Sequence, residues 1–126
     1  KQSSLVHDLI DKLDVRPKDE NLTASQLSGG NQQKVVIAKW IATNPKILIV
    51  DEPTNGVDIG AKADIHKILR ELAKNGTSII VISSELPEIL SISDRILVMR
   101  KGCISGEFKN SNLTQEAIME KAVINK

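Results

Sequence analysis

Apolar residues recur at helical spacing in four parts of this chain. Over residues 5–13, leucine, valine and isoleucine stand three or four positions apart, which predicts an amphipathic helix that ends before Pro17. Similar patterns predict helices over 28–43 and after a turn-rich loop at 53–60, where Asn75-Gly76 supplies the stop of the second of these helices. A last helix is expected to begin at Thr114.

Two short runs, ILIV at 47–50 and SIIVIS at 78–83, are almost wholly apolar and predict strands buried on both faces. With the helix between them they form a βαβ unit, so the expected fold class is α/β with parallel strands and flanking helices. A hairpin is predicted around Lys101-Gly102, after a short helix near residues 87–90. Trp40 and Met99 are expected in the core.

Composition narrows the class of protein. Hydrophobic residues make up 40% and aromatic residues 2%, so the core must be aliphatic. The net charge of +1 gives no general attraction to nucleic acid or anionic lipid. No apolar run approaches the roughly 18 residues of a membrane span. Cys103 is the single cysteine, which excludes an internal disulfide and favours a reducing, cytosolic compartment.

The stretch LSGGNQQK, 27–34, places two glycines at the expected start of a helix. The first backbone N–H groups of a helix lack internal partners, and the helix dipole makes that end positive. Without side chains in the way, a phosphate can reach these groups. The alternative is a Ser28 N-cap followed by flexible glycines.

The stretch ILIVDE, 47–52, ends an apolar strand in two carboxylates. Open α/β sheets bind ligands at the carboxyl ends of their strands. In phosphoryl-transfer sites of this type an Asp holds Mg²⁺ and a neighbouring carboxylate orients the attacking water. The alternative is a pair of solvated loop carboxylates.

Together, LSGGNQQ and ILIVDEPTNGVD resemble the nucleotide-binding domain of ABC transporters, and NQQKVVIAKW and ISSELPEIL are similar to the second half of tandem bacterial monosaccharide-import ATPases. The resemblance covers the signature motif, Walker B at 47–51, the catalytic glutamate and the D-loop. It implies a nucleotide contact in trans by Leu27, Ser28, Gly29, Gly30, Asn31 and Gln32. It implies a D-loop formed by Asn55, Gly56, Val57 and Asp58.

The resemblance also implies an incomplete P-loop NTPase (RecA-like) core. Residues 1–27 would end a helical subdomain, 28–108 would carry the catalytic core, and 109–126 would form a C-terminal helix. The phosphate loop G-x-x-x-x-G-K-[ST] is absent from these 126 residues, in which no Gly-Lys pair occurs. The chain is therefore expected to be a fragment that is inactive alone.

In this family two nucleotide-binding domains close over ATP and Mg²⁺. The resemblance implies that Ser28 and Gly30 face the γ-phosphate held by a partner domain, while Asp51 holds Mg²⁺ through water and Glu52 is catalytic. An acidic side chain at Gly30 is expected to block the phosphate and to leave the fold intact. The implied partners are a second nucleotide-binding domain, permease subunits and, indirectly, a periplasmic or lipid-anchored sugar-binding protein, at the inner face of the membrane; nucleic acid is not among them.

Ser84 stands where ABC ATPases usually place a histidine, at the H-loop position. A serine hydroxyl donates a hydrogen bond but cannot supply a cationic imidazolium, so the site of this half is expected to be the weaker one. The alternative is a purely structural role, in which Ser84 only caps the next helix. A different functional class is also open: a free-standing, non-enzymatic half-domain that docks on a complete ABC ATPase and regulates it.

Overall fold

A computed structural model describes residues 2–123 of the chain. The chain divides into two compact units, with the boundary between Ile82 and Ser83. Residue 1 and residues 124–126 of the segments expected at 1–27 and 109–126 lie outside the described range. The subdomain boundaries after residues 27 and 108 stay predictions. In the part of the chain that is described, no helix is long and apolar enough to cross a lipid bilayer.

The first unit is an α/β arrangement with three helices and two strands. In chain order these are α1 (Gln2–Lys12), α2 (Gly29–Ile41), β1 (Ile47–Asp51), α3 (Ile59–Lys74) and β2 (Ser78–Ile82), with a 3₁₀ turn at Ala24–Gln26 ahead of α2. The βαβ unit expected from the sequence is present, because β1 and β2 pair in parallel with α3 between them.

The helix ends follow local chemistry. Ser28 and Asp58 occupy the N-caps of α2 and α3, where each side chain accepts from a backbone N–H three residues on. Asn75 caps the end of α3 and Gly76 follows at φ +98, the left-handed conformation that stops a helix. The stop predicted at Asn75-Gly76 is therefore confirmed.

The parallel sheet is covered on one face only. Its register pairs Leu48 with Ile79 and Ile49 with Ile80. Leu48 and Ile79 point to one side of the sheet, and Ile49 and Ile80 point to the other. Leu48 is buried, whereas Ile47 and Ile49 are 62% exposed and Ile80 is 50% exposed. The prediction of burial on both faces is wrong for these strands, because no described element of the first unit covers the face that carries Ile47, Ile49, Ile80 and Ile82. We call these four residues the bare face.

The second unit holds the predicted hairpin and two helices. It contains α4 (Leu86–Ile92), β3 (Arg95–Arg100), β4 (Cys103–Lys109) and α5 (Gln115–Ala122). Lys101 and Gly102 both have positive φ, as a two-residue hairpin turn requires, so the predicted turn is confirmed. Thr114 caps α5 as predicted, since its side chain accepts from Ala117 N–H.

A continuous apolar cluster holds this second unit together. Ile96 and Val98 on one face of β3 are buried with Ile118 of α5. Leu113 packs on the same cluster, in agreement with the staple expected beside Ile118. Further side chains from α4 and β4 close the cluster: Leu86, Ile89, Leu90 and Phe108.

Two residues expected in the core lie at the surface. Met99 is 66% exposed because it follows the buried Val98 and therefore points to the other face of β3. Trp40 is 59% exposed. At 3.6 residues per turn it lies about a quarter turn from the buried stripe of α2, which consists of Gly30, Lys34 and Ile37.

Candidate functional site

The start of α2 is organised by one side-chain amide. Asn31 Nδ2 donates to Ser28 Oγ at 2.9 Å, and Asn31 N–H points to the same oxygen at 3.4 Å. The carbonyl end of the Asn31 side chain accepts from Arg16 N–H at 3.0 Å. Ser28 Oγ thus serves as an acceptor inside the turn, which leaves its own O–H proton available to an external acceptor.

A second amide braces the approach to this turn. Gln32 Nε2 donates to the carbonyl oxygens of Ala24 at 3.0 Å and Leu27 at 3.1 Å. The segment ahead of α2 is thereby tied to the second turn of the helix. Both amides that the sequence placed on a nucleotide, Asn31 and Gln32, are engaged within the chain.

The two glycines differ in their surroundings. A Cβ added to Gly29 would lie 3.7 Å from Gly56 O, an ordinary contact. A Cβ added to Gly30 would lie 2.4 Å from Ala61 Cβ, which no real side chain tolerates. The expectation that an acidic side chain at Gly30 leaves the fold intact is therefore wrong, because Gly30 is buried against α3.

These contacts bring the start of α2 beside the predicted D-loop. Gly56, at φ +73, presents its carbonyl toward Gly29. Asp58 accepts from Ala61 N–H at 2.8 Å and so fixes the residue on which Gly30 rests. Asn55 and Val57 complete the turn, with Asn55 N–H bonded to Glu52 O at 3.1 Å. The signature turn, residues 28–31, and the D-loop are therefore in direct contact within the first unit.

A buried lysine stands one turn beyond Gly30. Lys34 is 4% exposed, and its ammonium donates to Asp64 at 2.8 Å and to Asp14 O at 3.1 Å. The pair ties α2 to α3, and the second bond ties α2 to the loop after α1. Lys34 and Asp64 line a cleft of about 330 Å³ together with Leu13 and Leu72. A buried cation is stable only when paired in this way.

The loop after α1 carries an exposed ion pair. Asp14 accepts from Arg16 Nε at 3.0 Å, and a second guanidinium nitrogen lies 3.0 Å from its other oxygen. This hydrogen bond holds the pKa of the Asp14 carboxyl below its ordinary value, with the charges of Arg16 and Lys34 acting in the same direction.

The predicted carboxylate pair sits at the end of β1. Asp51 is the last strand residue and is exposed on the same side as Ile49. Glu52 follows at φ +47, a left-handed conformation that is unfavourable for a residue with a Cβ. Its N–H donates to Ile82 O at 2.8 Å, which closes the end of the sheet. Pro53 and Thr54 behind it are almost fully buried and give the turn a rigid base.

Ser84 belongs to the second unit and is exposed, directly ahead of α4. The N-cap of α4 is Glu85, and the hydroxyl that accepts from Glu85 N–H at 3.0 Å is that of Ser83. The structural alternative, in which Ser84 is the N-cap of the helix, is therefore wrong.

Sequence reasoning missed three residues that build this site: Ala61, Lys34 and Arg16. Ala61 and Lys34 act through tertiary contacts, for which the chain offers no local signal. The contact between Asn31 and Ser28 did have a signal, because an amide three residues after an N-cap serine lies within reach of its hydroxyl. Among the described residues, no group of three or more His, Cys, Asp or Glu side chains could hold a metal ion.

Comparison with known proteins places these features in a family. A family model described as ABC transporter matches residues 1–55. The ribose import ATP-binding protein RbsA of Caldanaerobacter subterraneus subsp. tengcongensis is 52% identical over 123 residues, 98% of this chain and 25% of the relative. The xylose import ATP-binding protein XylG of Yersinia pseudotuberculosis is 50% identical over 98% of this chain and 24% of the relative. The chain thus spans about a quarter of the length of these curated relatives.

Solved structures give the same result. The MJ1267 ATP-binding cassette of an ABC transporter superposes with a TM-score of 0.81 at 27% identity, over 94% of this chain and 49% of that one. The MJ0796 cassette, a dimer bound to ADP and Pi, gives 0.72 at 27% identity, over 84% and 46%. The α/β fold expected from the sequence is confirmed as that of the ATP-binding cassettes. By sequence and by fold, the chain belongs to the ABC transporter family.

Proposed function

We propose that this chain works as part of the ATP-binding subunit of a bacterial sugar ABC importer. It supplies the signature turn to an ATP site completed by a second nucleotide-binding domain. The names of the relatives, which are ribose and xylose import ATP-binding proteins, support the substrate class. The observation that carries the proposal is the turn at Ser28–Asn31, where Asn31 Nδ2 donates to Ser28 Oγ and two glycines begin the helix.

The chemistry of this turn suits a polyphosphate. Gly29 and Gly30 begin α2 without side chains of their own, and the dipole of α2 favours an anion at this end. Ser28 adds one O–H donor. Leu27, Gly30, Asn31 and Gln32 complete the turn and hold its shape. The dimeric cassette structures support a second domain as the source of the nucleotide.

The carboxylates at the end of β1 serve this half's own site. Asp51 is an exposed, hard oxygen donor on a strand end, which fits Mg²⁺ held by one carboxylate and several waters. Mg²⁺, when bound, would neutralise charge on the phosphates. Glu52 orients the attacking water as the catalytic carboxylate. Ser84, at the H-loop position, offers a neutral hydroxyl, and this makes the site served by Asp51 and Glu52 the weaker one.

The wider assembly follows from this role. The chain lies on the cytoplasmic face of the membrane, against permease subunits that receive sugar from an extracytoplasmic binding protein. The D-loop, Asn55–Asp58, faces the second nucleotide-binding domain together with the signature turn. Alone, the chain does not hydrolyse ATP, because its 126 residues contain no phosphate loop to hold the β- and γ-phosphates.

Sedimentation of the full chain with the RbsA protein of C. subterraneus tests the proposal. We expect association that requires Mg-ATP and is lost with Mg-AMP, since AMP lacks the phosphates that the turn would bind. Ser28→Ala should weaken it, whereas Ser111→Ala, at an exposed serine elsewhere, should not. The chain alone should show background ATPase activity.

Two results would overturn this assignment. Association of equal strength with and without nucleotide would favour the other candidate, a non-enzymatic half-domain that docks on a complete ABC ATPase. Steady hydrolysis by the chain alone would show a nucleotide site that the present residues do not explain.

A further inference from the structure

The Asn31 side chain is turned into its own domain and not outward. Each end of its amide has one partner: Arg16 N–H at 3.0 Å on the oxygen and Ser28 Oγ at 2.9 Å on the nitrogen. An amide has two distinct ends, and a backbone N–H can be met only by the oxygen. Arg16 therefore fixes which end of Asn31 faces Ser28.

This orientation determines where the Ser28 proton goes. With Asn31 Nδ2 as donor, Ser28 Oγ must accept at that contact, and its own O–H donates elsewhere. Asn31 N–H, at 3.4 Å, lies on the same side of the oxygen and reinforces the preference. The open direction for the Ser28 proton is away from the turn, where the proposed phosphate would lie.

The loop that supplies Arg16 is itself held to α2. Lys34, buried one turn further along α2, donates to Asp14 O at 3.1 Å. Asp14 and Arg16 are thus bound to the same helix at two points, Lys34 and Asn31. The loop cannot drift from the turn without breaking a contact of a buried ammonium, which is costly.

We propose that Asn31 is a positioning residue that aims the Ser28 hydroxyl proton at the partner-bound nucleotide, and that it does not itself contact the nucleotide. This inference rests on the proposed function. It assigns to the 14–16 loop a role in nucleotide recognition at a distance, through Arg16 and Asn31.

An isosteric substitution separates the two ends of the amide. In Asn31→Asp the carboxylate still accepts from Arg16 N–H, but it can no longer donate to Ser28, so the Ser28 proton turns inward. In Asn31→Ala both bonds are lost. Gln33→Glu adds the same charge to the same helix turn but leaves the hydrogen bonds among Arg16, Asn31 and Ser28 in place, and it serves as the control for charge alone.

We expect Asn31→Asp to weaken Mg-ATP-dependent association with RbsA by about tenfold or more, the usual loss for a hydrogen bond to a charged group. Its melting temperature should stay near that of the wild type, because Asp is favourable in a first helix turn. Hydrogen exchange at Arg16 N–H should remain slow in Asn31→Asp and become at least tenfold faster in Asn31→Ala. Gln33→Glu should leave association, melting temperature and exchange at Arg16 N–H unchanged.

Wild-type association by Asn31→Asp would overturn the inference, as would unchanged exchange at Arg16 in Asn31→Ala. An equal loss in Gln33→Glu would assign the effect to charge and would also overturn it. If the wild-type chain shows no nucleotide-dependent association at all, the proposed function fails, and the exchange experiment still tests whether Asn31 holds the 14–16 loop.

Discussion

The two sheets of this chain contain two strands each but solve the problem of burial differently. In the hairpin, β3 alternates, so that Ile96 and Val98 face α5 and their neighbours face outward. In the parallel pair, both faces are apolar, and only the face of Leu48 and Ile79 is covered. An antiparallel hairpin needs one covering layer, whereas a parallel βαβ sheet needs two. The second unit therefore fills its single buried layer from its own residues, whereas the first unit leaves the bare face uncovered.

The largest expected effect is the loss of stability when a buried isoleucine of the hairpin is truncated. Truncating an exposed isoleucine of the parallel sheet gives the comparison. Ile96→Ala should lower the free energy of unfolding of the second unit by about 2–5 kcal/mol, because it leaves a cavity in a buried cluster. Ile49→Ala should change that of the first unit by less than about 0.5 kcal/mol, since the side chain is already largely in water. Urea denaturation followed by amide exchange within each unit measures both. Equal losses would show that Ile49 is covered in solution.

The bare face should also make the chain associate with itself. Ile49→Asp together with Ile80→Asp places two charges on neighbouring strands of that face and should shift oligomers toward monomer. Leu97→Asp is the matched control, because Leu97 is exposed on the outer face of the hairpin. Sedimentation velocity over a hundredfold concentration range reports the outcome. A wild-type chain that stays monomeric throughout would contradict the comparison.

A smaller effect is expected at the strand ends. Glu52 after β1 and Lys101 after β3 share nearly the same left-handed φ, 47° and 49°. Replacing either with glycine should stabilise its unit by about 0.5–1 kcal/mol, the relief of left-handed strain less the entropy that glycine adds to the unfolded chain. Glutamine at either position keeps the Cβ and should bring no gain. A loss of stability in Glu52→Gly alone would show that the contacts of its side chain outweigh the strain.

The smallest effect is a difference in acid sensitivity between the units. The pKa of Asp14 is lowered in the folded chain by its hydrogen bond from Arg16, so the pair stabilises the first unit above the ordinary carboxyl range. That contribution is lost as the pH falls through this range toward the folded pKa. Asn at position 14 should remove this part of the pH dependence, as judged from thermal unfolding between pH 3 and 7. An unchanged profile would mean that the exposed pair contributes nothing.

Local chemistry was readable from the sequence, and tertiary contact was not. The stop at Asn75-Gly76, the cap at Thr114 and the turn at Lys101-Gly102 depend on residues within three positions of one another, and all three form as expected. The signature turn was located for the same reason. Gly30 and Ala61, which meet between α2 and α3, are 31 positions apart in sequence, and no pattern in either helix predicts their contact.

Burial was the weaker part of the prediction. Hydrophobicity placed Trp40 and Met99 in a core, but exposure depends on the face a residue occupies and on what covers that face. For β1 and β2 the apolar runs predict burial on both sides, and the described elements of the first unit cover only one side. The sequence therefore shows which faces of a sheet are apolar, and the structure shows which of those faces are buried.

The exposed indole of Trp40 has a practical consequence. It is the single tryptophan of a chain without tyrosine, so near-ultraviolet emission arises from this one position. It lines a shallow cleft of about 140 Å³ together with Ile49, at the edge of the bare face. Any apolar surface that settles there removes water from the indole and shifts its fluorescence to shorter wavelength. The protein thus carries its own optical reporter of whether the uncovered side of its sheet is occupied.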